Sequence, residues 1–193
     1  MPNGVNGFDH FLFNAINGNG VWWLDGLFDL FSNRSAALIA GLGILIILGL
    51  RYRLAIVRLA ITAGIALFLS DTIGYQILKP WFGRVRPCYF LSPDEVRLVV
   101  GAANVGSMPS LHAANSFAIA FVLTMLDRRL ALIAYPVASL AAISRVYLGV
   151  HWPTDIIAGA FWGTFAGLAG WWLTAKLWTT ISQQRQKQKL HNL

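Results

Sequence analysis

Five long apolar runs, nearly free of charge, dominate this chain and limit what it can fold into. They are approximately Ser35–Leu50, Leu59–Leu78, Leu111–Leu126, Leu130–Val150 and Ile156–Ala175. A helix needs about 20 mostly apolar residues to cross the hydrocarbon core of a bilayer, and these runs are of that order. Only 12% of the 193 residues are charged, whereas soluble domains carry about 25%. The sequence therefore predicts an all-α, polytopic membrane helical bundle of about five to six transmembrane helices.

The aromatic residues and the single cysteine exclude two other classes of protein. The chain contains 8 Trp, 12 Phe and 5 Tyr, which a disordered chain would lack. Cys88 has no second cysteine in the chain to pair with, so a disulfide scaffold is excluded. The length allows one compact domain. We expect an N-terminal interfacial segment at 1–33, a transmembrane domain at 34–178 and a basic cytoplasmic tail at 179–193.

The placement of the cations predicts the orientation in the membrane. Short cytoplasmic loops carry an excess of Lys and Arg, and nine of the fifteen cations follow spans one, three and five. These nine are Arg51, Arg53, Arg58, Arg128, Arg129, Lys176, Arg185, Lys187 and Lys189. The C-terminus is therefore expected in the cytoplasm. The remaining six fall on the outer side and need a different explanation; they are Arg34, Lys79, Arg84, Arg86, Arg97 and Arg145.

The first 33 residues do not resemble a signal peptide, because no basic region precedes an apolar core and no small-residue cleavage site follows. Apolar residues recur at helical spacing on both sides of the Asn- and Gly-rich stretch Asn17–Gly20. We expect two short amphipathic helices in the outer interface, with Trp22 and Trp23 at headgroup level. A sixth, poorly formed span is the alternative.

Two features inside the spans predict helix packing. Gly159, Gly163 and Gly167 lie on one face of the fifth span, where small residues let helices approach closely. We interpret that face as a packing seam. Asp71 lies inside the second span and either pairs with a cation of the site or bonds to a neighbouring helix.

Polar and ionisable residues concentrate in three stretches beside the spans. Residues 79–87 follow span two, residues 107–112 begin span three, and residues 144–155 connect spans four and five. In the predicted orientation all three stretches lie at outer helix ends, so they meet in one layer. Ionisable residues beside membrane spans usually mark function. We therefore expect the functional site in this layer.

The cations of the layer favour a phosphate ligand. Lys79, Arg86 and Arg145 form a cationic group, and a guanidinium is suited to bidentate contact with phosphate oxygens. The alternative is that each cation pairs with a lipid headgroup or with a loop acid such as Asp94 or Glu95.

The second and third stretches contain residues that could act on a bound phosphate. Ser110 and His112 follow Pro109 at a predicted helix N-terminus, where backbone N–H groups and the helix dipole favour an anion. His151 and Asp155 are four residues apart, so on a helical turn the carboxylate can orient the ring. His151 is then a candidate nucleophile on phosphorus, and His112 a candidate general acid.

A metal site is the competing interpretation of two histidines and an aspartate. At least three fixed cations in the same layer would repel a dication, and no further Cys or His lies at ligand spacing. The sequence therefore favours phosphate chemistry without a metal.

Taken together, the three stretches resemble the signature of the type 2 phosphatidic acid phosphatase superfamily of lipid phosphate phosphatases. That signature is Lys, six residues, Arg-Pro; then Pro-Ser-Gly-His; then Ser-Arg, five residues, His, three residues, Asp. The matching positions here are Lys79, Arg86, Pro87, Pro109, Ser110, His112, Ser144, Arg145, His151 and Asp155. Leu111 stands where the family usually has glycine, and adds a side chain where the phosphate would approach.

The resemblance implies a phosphohistidine intermediate on His151, with Asp155 as its partner and His112 as the acid. It implies no metal and no other cofactor. The phosphate-binding residues that it implies are Lys79, Arg86, Ser110, Leu111 through its backbone, and Arg145.

The resemblance also implies a lipid substrate whose phosphate lies at headgroup level, so the expected partners are that lipid and the bilayer, with no nucleic acid. The chain is similar to bacterial undecaprenyl diphosphate phosphatases of the inner membrane, which makes undecaprenyl diphosphate the first expectation. Phosphatidylglycerophosphate, phosphatidate and lipid A 1-phosphate are alternatives, as is phosphotransfer to another lipid. A lipid phosphate transporter or binding protein is the alternative from another class, disfavoured because the inner halves of the spans carry few polar groups.

Overall fold

The computed structural model describes residues 5–52, 54–101 and 104–191, and no β-strand occurs within these ranges. The helices are α1 (Gly7–Asn17), α2 (Trp22–Ser32), α3 (Arg34–Tyr52), α4 (Leu54–Ile73), α5 (Lys79–Phe82), α6 (Pro87–Phe90), α7 (Leu111–Leu126), α8 (Ala131–Tyr147) and α9 (Pro153–His191). A π-helical segment, Gly74–Leu78, joins α4 to α5 without a break. The predicted loop cation Arg53, and the side chains of Arg34 and of the tail after residue 180, lie outside the described residues.

Within the described ranges, four helical segments are long and apolar enough to cross a membrane. They are Ser35–Tyr52, Ile56–Phe82, Arg128–Tyr147 and Pro153–Thr180. Helix α7 is also apolar but has 16 residues, about 24 Å at roughly 1.5 Å per residue, and so is slightly short. The predicted all-α membrane bundle is therefore confirmed. Helix α9 continues beyond the predicted span into the basic tail, where Gln, Lys and Arg are good helix formers.

Helix α7 lies at the centre of the bundle and packs against α4, α8 and α9. The glycine face of α9 is the contact with α7, as the sequence predicts. A Cβ added to Gly163 would meet the backbone of Ala114, and one added to Gly167 would lie 3.0 Å from the carbonyl oxygen of Ala118. These glycines let the two backbones approach as closely as small residues allow.

The half-buried acid in the second span, Asp71, bonds to a neighbouring helix. The Asn115 side-chain amide of α7 donates to a carboxylate oxygen of Asp71 at 2.9 Å. This bond joins α4 to α7 within the apolar layer and favours the helix-bonding interpretation of Asp71.

The central helices each have a polar stretch at one end and basic residues at the other. The basic ends meet: the Tyr52 hydroxyl donates to Asp127 at 2.8 Å, and the Arg58 guanidinium lies 4.6 Å from the centroid of the Trp171 ring. The three polar stretches consequently gather at the opposite end of the bundle.

Helices α1 and α2 cover this polar end. Each has 11 residues, about 16 Å at roughly 1.5 Å per residue, so neither forms the sixth span considered as an alternative. The buried Asn17 side chain donates to the carbonyl oxygens of Arg97 and Tyr147, both at 2.8 Å. Phe13 packs on Trp152 with ring centroids 5.2 Å apart. These contacts attach the N-terminal helices to the segment that connects α8 and α9.

Candidate active site

Residues of the first polar stretch form hydrogen bonds to the loop that leads to the second polar stretch. The backbone N–H of Arg86 donates to the carbonyl oxygen of Val105 at 3.2 Å. The buried ammonium group of Lys79 donates to the carbonyl oxygen of Gly106 at 2.7 Å. Lys79 is placed by the continuous helix α4–α5, so the membrane span itself positions a cation against this loop.

The second stretch caps helix α7 and joins the third. The Ser110 hydroxyl accepts from the backbone N–H of Ala113 at 3.5 Å, which identifies Ser110 as the N-cap. Its own backbone N–H donates to the carbonyl oxygen of Asp155 at 3.0 Å. The N-terminus of α7 and the first turn of α9 are therefore adjacent.

The side chain of Leu111 packs against the π-helical segment. A Cβ added to Gly74 would lie 2.5 Å from Leu111 Cδ2, so the absence of a side chain at Gly74 makes room for the leucine. The backbone N–H of Leu111 stays in the first turn of α7, where it is available to an anion. This placement explains how leucine fits a position that the family usually fills with glycine.

The third stretch orients a histidine ring between a carboxylate and a cation. His151 Nδ1 lies 3.3 Å from a carboxylate oxygen of Asp155, and His151 Nε2 lies 2.7 Å from Arg86 Nη1. A guanidinium can only donate, so Nε2 presents its lone pair and the ring proton is on Nδ1. The nitrogen with the lone pair therefore faces the cationic group.

Asp155 is fully buried and receives donors on both carboxylate oxygens. Oδ2 accepts from the backbone N–H of Trp152 at 2.8 Å and from the Ser107 hydroxyl. Oδ1 accepts from Arg84 Nη1 at 3.0 Å. These bonds fix the carboxylate, and through it the ring of His151.

The surroundings of His151 keep its ring neutral. Burial lowers the pKa of His151 well below its usual value, and the nearby cations Arg86, Lys79 and Arg145 lower it further. The free base is the form that can attack phosphorus. The environment therefore supplies an uncharged ring nitrogen at neutral pH.

The structure brings the remaining predicted residues to the same end of the bundle. His112 is half-buried in the first turn of α7 and is near enough to His151 to contribute to lowering the pKa of His151. Arg145 is half-buried at the end of α8, and its guanidinium donates to the Ser32 hydroxyl of α2. Arg145 Nε has no hydrogen-bond partner among the described residues.

The loop acids do not neutralise the cationic group. Glu95 accepts from the backbone and hydroxyl of Ser92. Within the described part of the chain, the ion pairs of Lys and Arg are those of Arg84 and Arg97. Lys79, Arg86 and Arg145 thus retain a net positive charge for a ligand anion. In the same part of the chain, no three His, Cys, Asp or Glu side chains form a group that could hold a metal ion.

Sequence reasoning missed the roles of several residues at this end. The sequence predicts no role for Arg84 beyond that of an outer cation, yet Arg84 is 3% exposed and pairs with both Asp9 and Asp155. Asp9 is fully buried. Its position in the first turn of α1 is typical of an acid that interacts favourably with the helix dipole, and so indicates no further role. Ser107 and Thr154 also lie in this network. The one available signal was the position of Arg84 inside the first stretch.

An apolar groove of about 430 Å³ lies beside the site. Leu78 and Pro109 line it, and these residues directly precede Lys79 and Ser110. The rest of its lining is Phe82, Ala158, Phe161, Trp162 and Phe165. Hydrocarbon can therefore lie next to the cationic group.

The fold and the site define a multi-pass membrane protein with a buried histidine–aspartate pair and a cationic group at one end of its helices. The chain belongs to the PAP2 superfamily, which it matches over residues 55–179. It is 26% identical to LpxE of Aquifex aeolicus, whose crystal structure superposes with a TM-score of 0.73, covering 88% of this chain and 98% of that one. The predicted family is thereby confirmed.

Two proteins that are similar in sequence to this chain have names that state different substrates. A lipid A 4′-phosphatase of Bacteroides thetaiotaomicron is 38% identical over 128 residues, covering 63% of this chain and 57% of that protein. An undecaprenyl-diphosphatase of Sulfolobus acidocaldarius is 33% identical over 165 residues, covering 82% of this chain and 75% of that protein. The chain thus spans little more than half of the first relative and three quarters of the second.

Proposed function

We propose that this protein is a metal-independent lipid phosphatase of the membrane that acts through a phosphohistidine on His151. The observation that carries the proposal is the ring of His151, with Asp155 at Nδ1 and the Arg86 guanidinium 2.7 Å from Nε2. A phosphate that binds the Arg86 guanidinium would replace Nε2 as the acceptor of Nη1 and so arrive next to this lone pair. Positioning and charge stabilisation supply most of the catalysis in phosphoryl transfer.

The proposed reaction has two steps. In the first, Nε2 of His151 forms a bond to phosphorus, the bond from phosphorus to the leaving oxygen breaks, and His112 donates a proton to that oxygen. In the second, the oxygen of a water molecule forms a bond to phosphorus, the bond from phosphorus to Nε2 of His151 breaks, His112 takes up a proton from the water, and inorganic phosphate leaves. Lys79, Arg86 and Arg145 would stabilise charge on the equatorial oxygens, together with the Ser110 hydroxyl and the backbone N–H of Leu111.

We propose undecaprenyl diphosphate as the first candidate substrate. The apolar groove beside the site supports a lipid, because the chain nearest the phosphate could lie against Pro109 and Phe161 while the rest stays in the bilayer. The similarity to the Sulfolobus undecaprenyl-diphosphatase covers most of both chains. Lipid A phosphates, phosphatidylglycerophosphate and phosphatidate remain the alternatives, and the Bacteroides relative favours the first of these. Transfer of the phosphoryl group to a second lipid is the alternative reaction.

We also propose that the site faces the outer side of a bacterial inner membrane, with the C-terminus in the cytoplasm. The basic helix ends lie opposite the site, and the rule that cytoplasmic loops carry more Lys and Arg assigns those ends to the cytoplasm. Exposed Trp22, Trp23 and Trp81 at the polar end support its position at a membrane interface, because tryptophan is enriched at both interfaces of a membrane.

The test is phosphate release by the purified protein in detergent with a metal chelator, against a panel of these lipid phosphates. Wild-type protein should release phosphate without added metal, and should do so fastest with the physiological substrate. His151→Ala should reduce release by roughly 10³-fold or more. Undiminished release by His151→Ala, or release only with added metal, would contradict the proposed mechanism.

Two controls complete the test. Asp94→Asn changes an exposed acid outside the site and should retain wild-type rates. A substrate labelled with ³²P should leave an acid-labile, base-stable label on wild-type protein and none on His151→Ala. Mass spectrometry of products with a mixed-lipid acceptor separates hydrolysis from phosphotransfer, and an unaltered lipid would favour binding or transport.

A further inference from the structure

A buried carboxylate from the N-terminal helix reaches the site. Asp9 of α1 is fully buried, lies outside the three polar stretches and precedes the residues that match the family. Its carboxylate pairs with the Arg84 guanidinium. It also accepts from the backbone N–H of Thr154 at 2.9 Å and from the Thr154 hydroxyl at 2.8 Å. Asp9 is therefore held by two elements that adjoin the reacting histidine.

Arg84 joins Asp9 to the histidine–aspartate pair. One end of the guanidinium meets Asp9, and Nη1 donates to Asp155 Oδ1 at 3.0 Å. A continuous series of polar contacts thus connects Asp9, Arg84, Asp155 and His151. We propose that Asp9 is a positioning residue, which neutralises Arg84 and so leaves the Asp155 carboxylate to orient His151 and to stabilise its charge in the transition state. This inference rests on the proposed phosphatase function.

The charges at the site explain why Arg84 needs a second carboxylate. Removing one partner of a buried ion pair leaves an uncompensated charge in a medium of low dielectric constant. Without Asp9, Asp155 would be the one carboxylate left to the Arg84 guanidinium among the described ion pairs. Asp155, which already contacts both Arg84 and the ring of His151, would then balance the guanidinium charge without the help of Asp9.

The contact that would suffer is the weakest one at the carboxylate. His151 Nδ1 lies 3.3 Å from Asp155 Oδ2, beyond the usual range of 2.7–3.2 Å for such a bond. Movement of the carboxylate toward Arg84 by a few tenths of an ångström would break it. The phosphohistidine carries its positive charge on this ring, so the loss would affect the chemical step.

Asp9 has no hydrogen bond or ion pair with the proposed phosphate ligands among the described contacts. Its replacement by a neutral residue adds one unit of positive charge beside them. Phosphate binding should therefore be preserved or become tighter, while turnover falls. A residue that merely held the N-terminal helix in place would instead reduce binding, turnover and thermal stability together.

The experiment measures kcat, KM and inhibition by inorganic phosphate for Asp9→Asn in detergent, with the best substrate of the panel. We expect kcat to fall by about 10-fold, less than the roughly 100-fold that misplacement by about 1 Å can cause, because the carboxylate moves by only a fraction of that distance. KM and the inhibition constant should stay within about threefold of wild type or decrease. Asp94→Asn, which removes the same charge from an exposed position, is the matched control and should behave as wild type.

A double variant tests the path through Arg84. In an Arg84→Gln background, Asp9→Asn should reduce kcat by less than about threefold, because the charge that Asp9 neutralises is gone. Independent, multiplying losses would overturn the inference. So would wild-type kcat in Asp9→Asn, or equal losses of kcat and of phosphate affinity.

Thr154→Val provides a second measurement should Asp9→Asn fail to fold. It removes the hydroxyl that donates to Asp9 and accepts from Arg84 Nη1, so it loosens the same ion pair without changing a charge. We expect kcat to fall several-fold at unchanged KM, and an unchanged kcat would overturn the inference. Absence of turnover in the wild-type protein would refute the proposed function and this inference together. Turnover in wild type with no effect of either variant would refute only the role of Asp9.

Discussion

Replacing Gly163 by alanine should separate the two helices that carry the site. The ideal Cβ would lie 2.6 Å from the carbonyl carbon of Ala114 and 2.7 Å from its Cα, whereas carbon atoms pack at about 3.5–4.0 Å. These neighbours are backbone atoms, so no side chain can turn aside. Helices α7 and α9 must move apart by about 1 Å.

The expected loss of stability follows from the cost of overpacking the contact between α7 and α9. Overpacking of a well-packed contact costs typically about 2 kcal/mol, and for a chain of 193 residues that lowers Tm by about 4–8 °C. The movement also stretches the bond from the Ser110 N–H to the carbonyl oxygen of Asp155, now 3.0 Å. Since misplacement by about 1 Å can cost up to about 100-fold in rate, kcat should fall with stability.

Thermal unfolding in detergent and phosphate release measure the two effects on the same preparation. Gly41→Ala and Gly64→Ala are matched controls, because a Cβ at either glycine meets nothing within 4 Å. Both should raise Tm slightly, since alanine favours helix over glycine by about 0.5–1 kcal/mol. A Tm for Gly163→Ala within about 1 °C of these controls would refute the argument that this contact holds the site together.

Three further predictions concern the site itself. Asp155→Asn should reduce kcat by about 10³–10⁴-fold, because the ring of His151 loses both its orienting acceptor and the compensating charge; a rate within tenfold of wild type would contradict this role. Because the pKa of His151 is lowered in the folded protein, the unfolded chain binds a proton at this histidine at a higher pH than the folded protein does. The free energy of unfolding should therefore fall as the pH drops below about 6.5, by up to about 1.4 kcal/mol per pH unit. His151→Gln should lack that slope, and the acid limb of kcat/KM should lie below pH 6.5 in wild type. Leu111→Gly should lower stability by about 1–3 kcal/mol through the space left against Gly74, with KM within threefold of wild type; a tenfold lower KM would indicate that the leucine side chain obstructs the phosphate.

The sequence was sufficient to predict the bundle and the end at which the polar stretches meet. Apolar runs of membrane length predict helices, and a motif beside the end of each helix must lie near the membrane surface. The helical spacing of Gly159, Gly163 and Gly167 likewise predicted a packing face. These features depend only on the period and length of the helices, so they can be read without knowledge of tertiary contacts.

Partner choice among buried charges could not be predicted in the same way. The chain has eight acids and fifteen cations, and nothing in their spacing indicates that Asp9 meets Arg84 across 75 residues. The contact between Leu111 and Gly74 could not be predicted from the sequence either, because it depends on the π-helical segment that brings the two residues together.

Helix α1 has contacts with the site that its amphipathic sequence pattern does not indicate. The apolar face of α1 is typical of a helix that lies in the interface, and exposed Phe8 and Phe11 agree with that interpretation. Its opposite side nevertheless buries Asp9 and Phe13 against the connection between α8 and α9. A single helix therefore exposes aromatic side chains on one face and contacts the ion pairs of the site on the other. The match to the family model begins at residue 55, so the contacts that α1 makes with the site lie outside the motifs from which the family can be predicted.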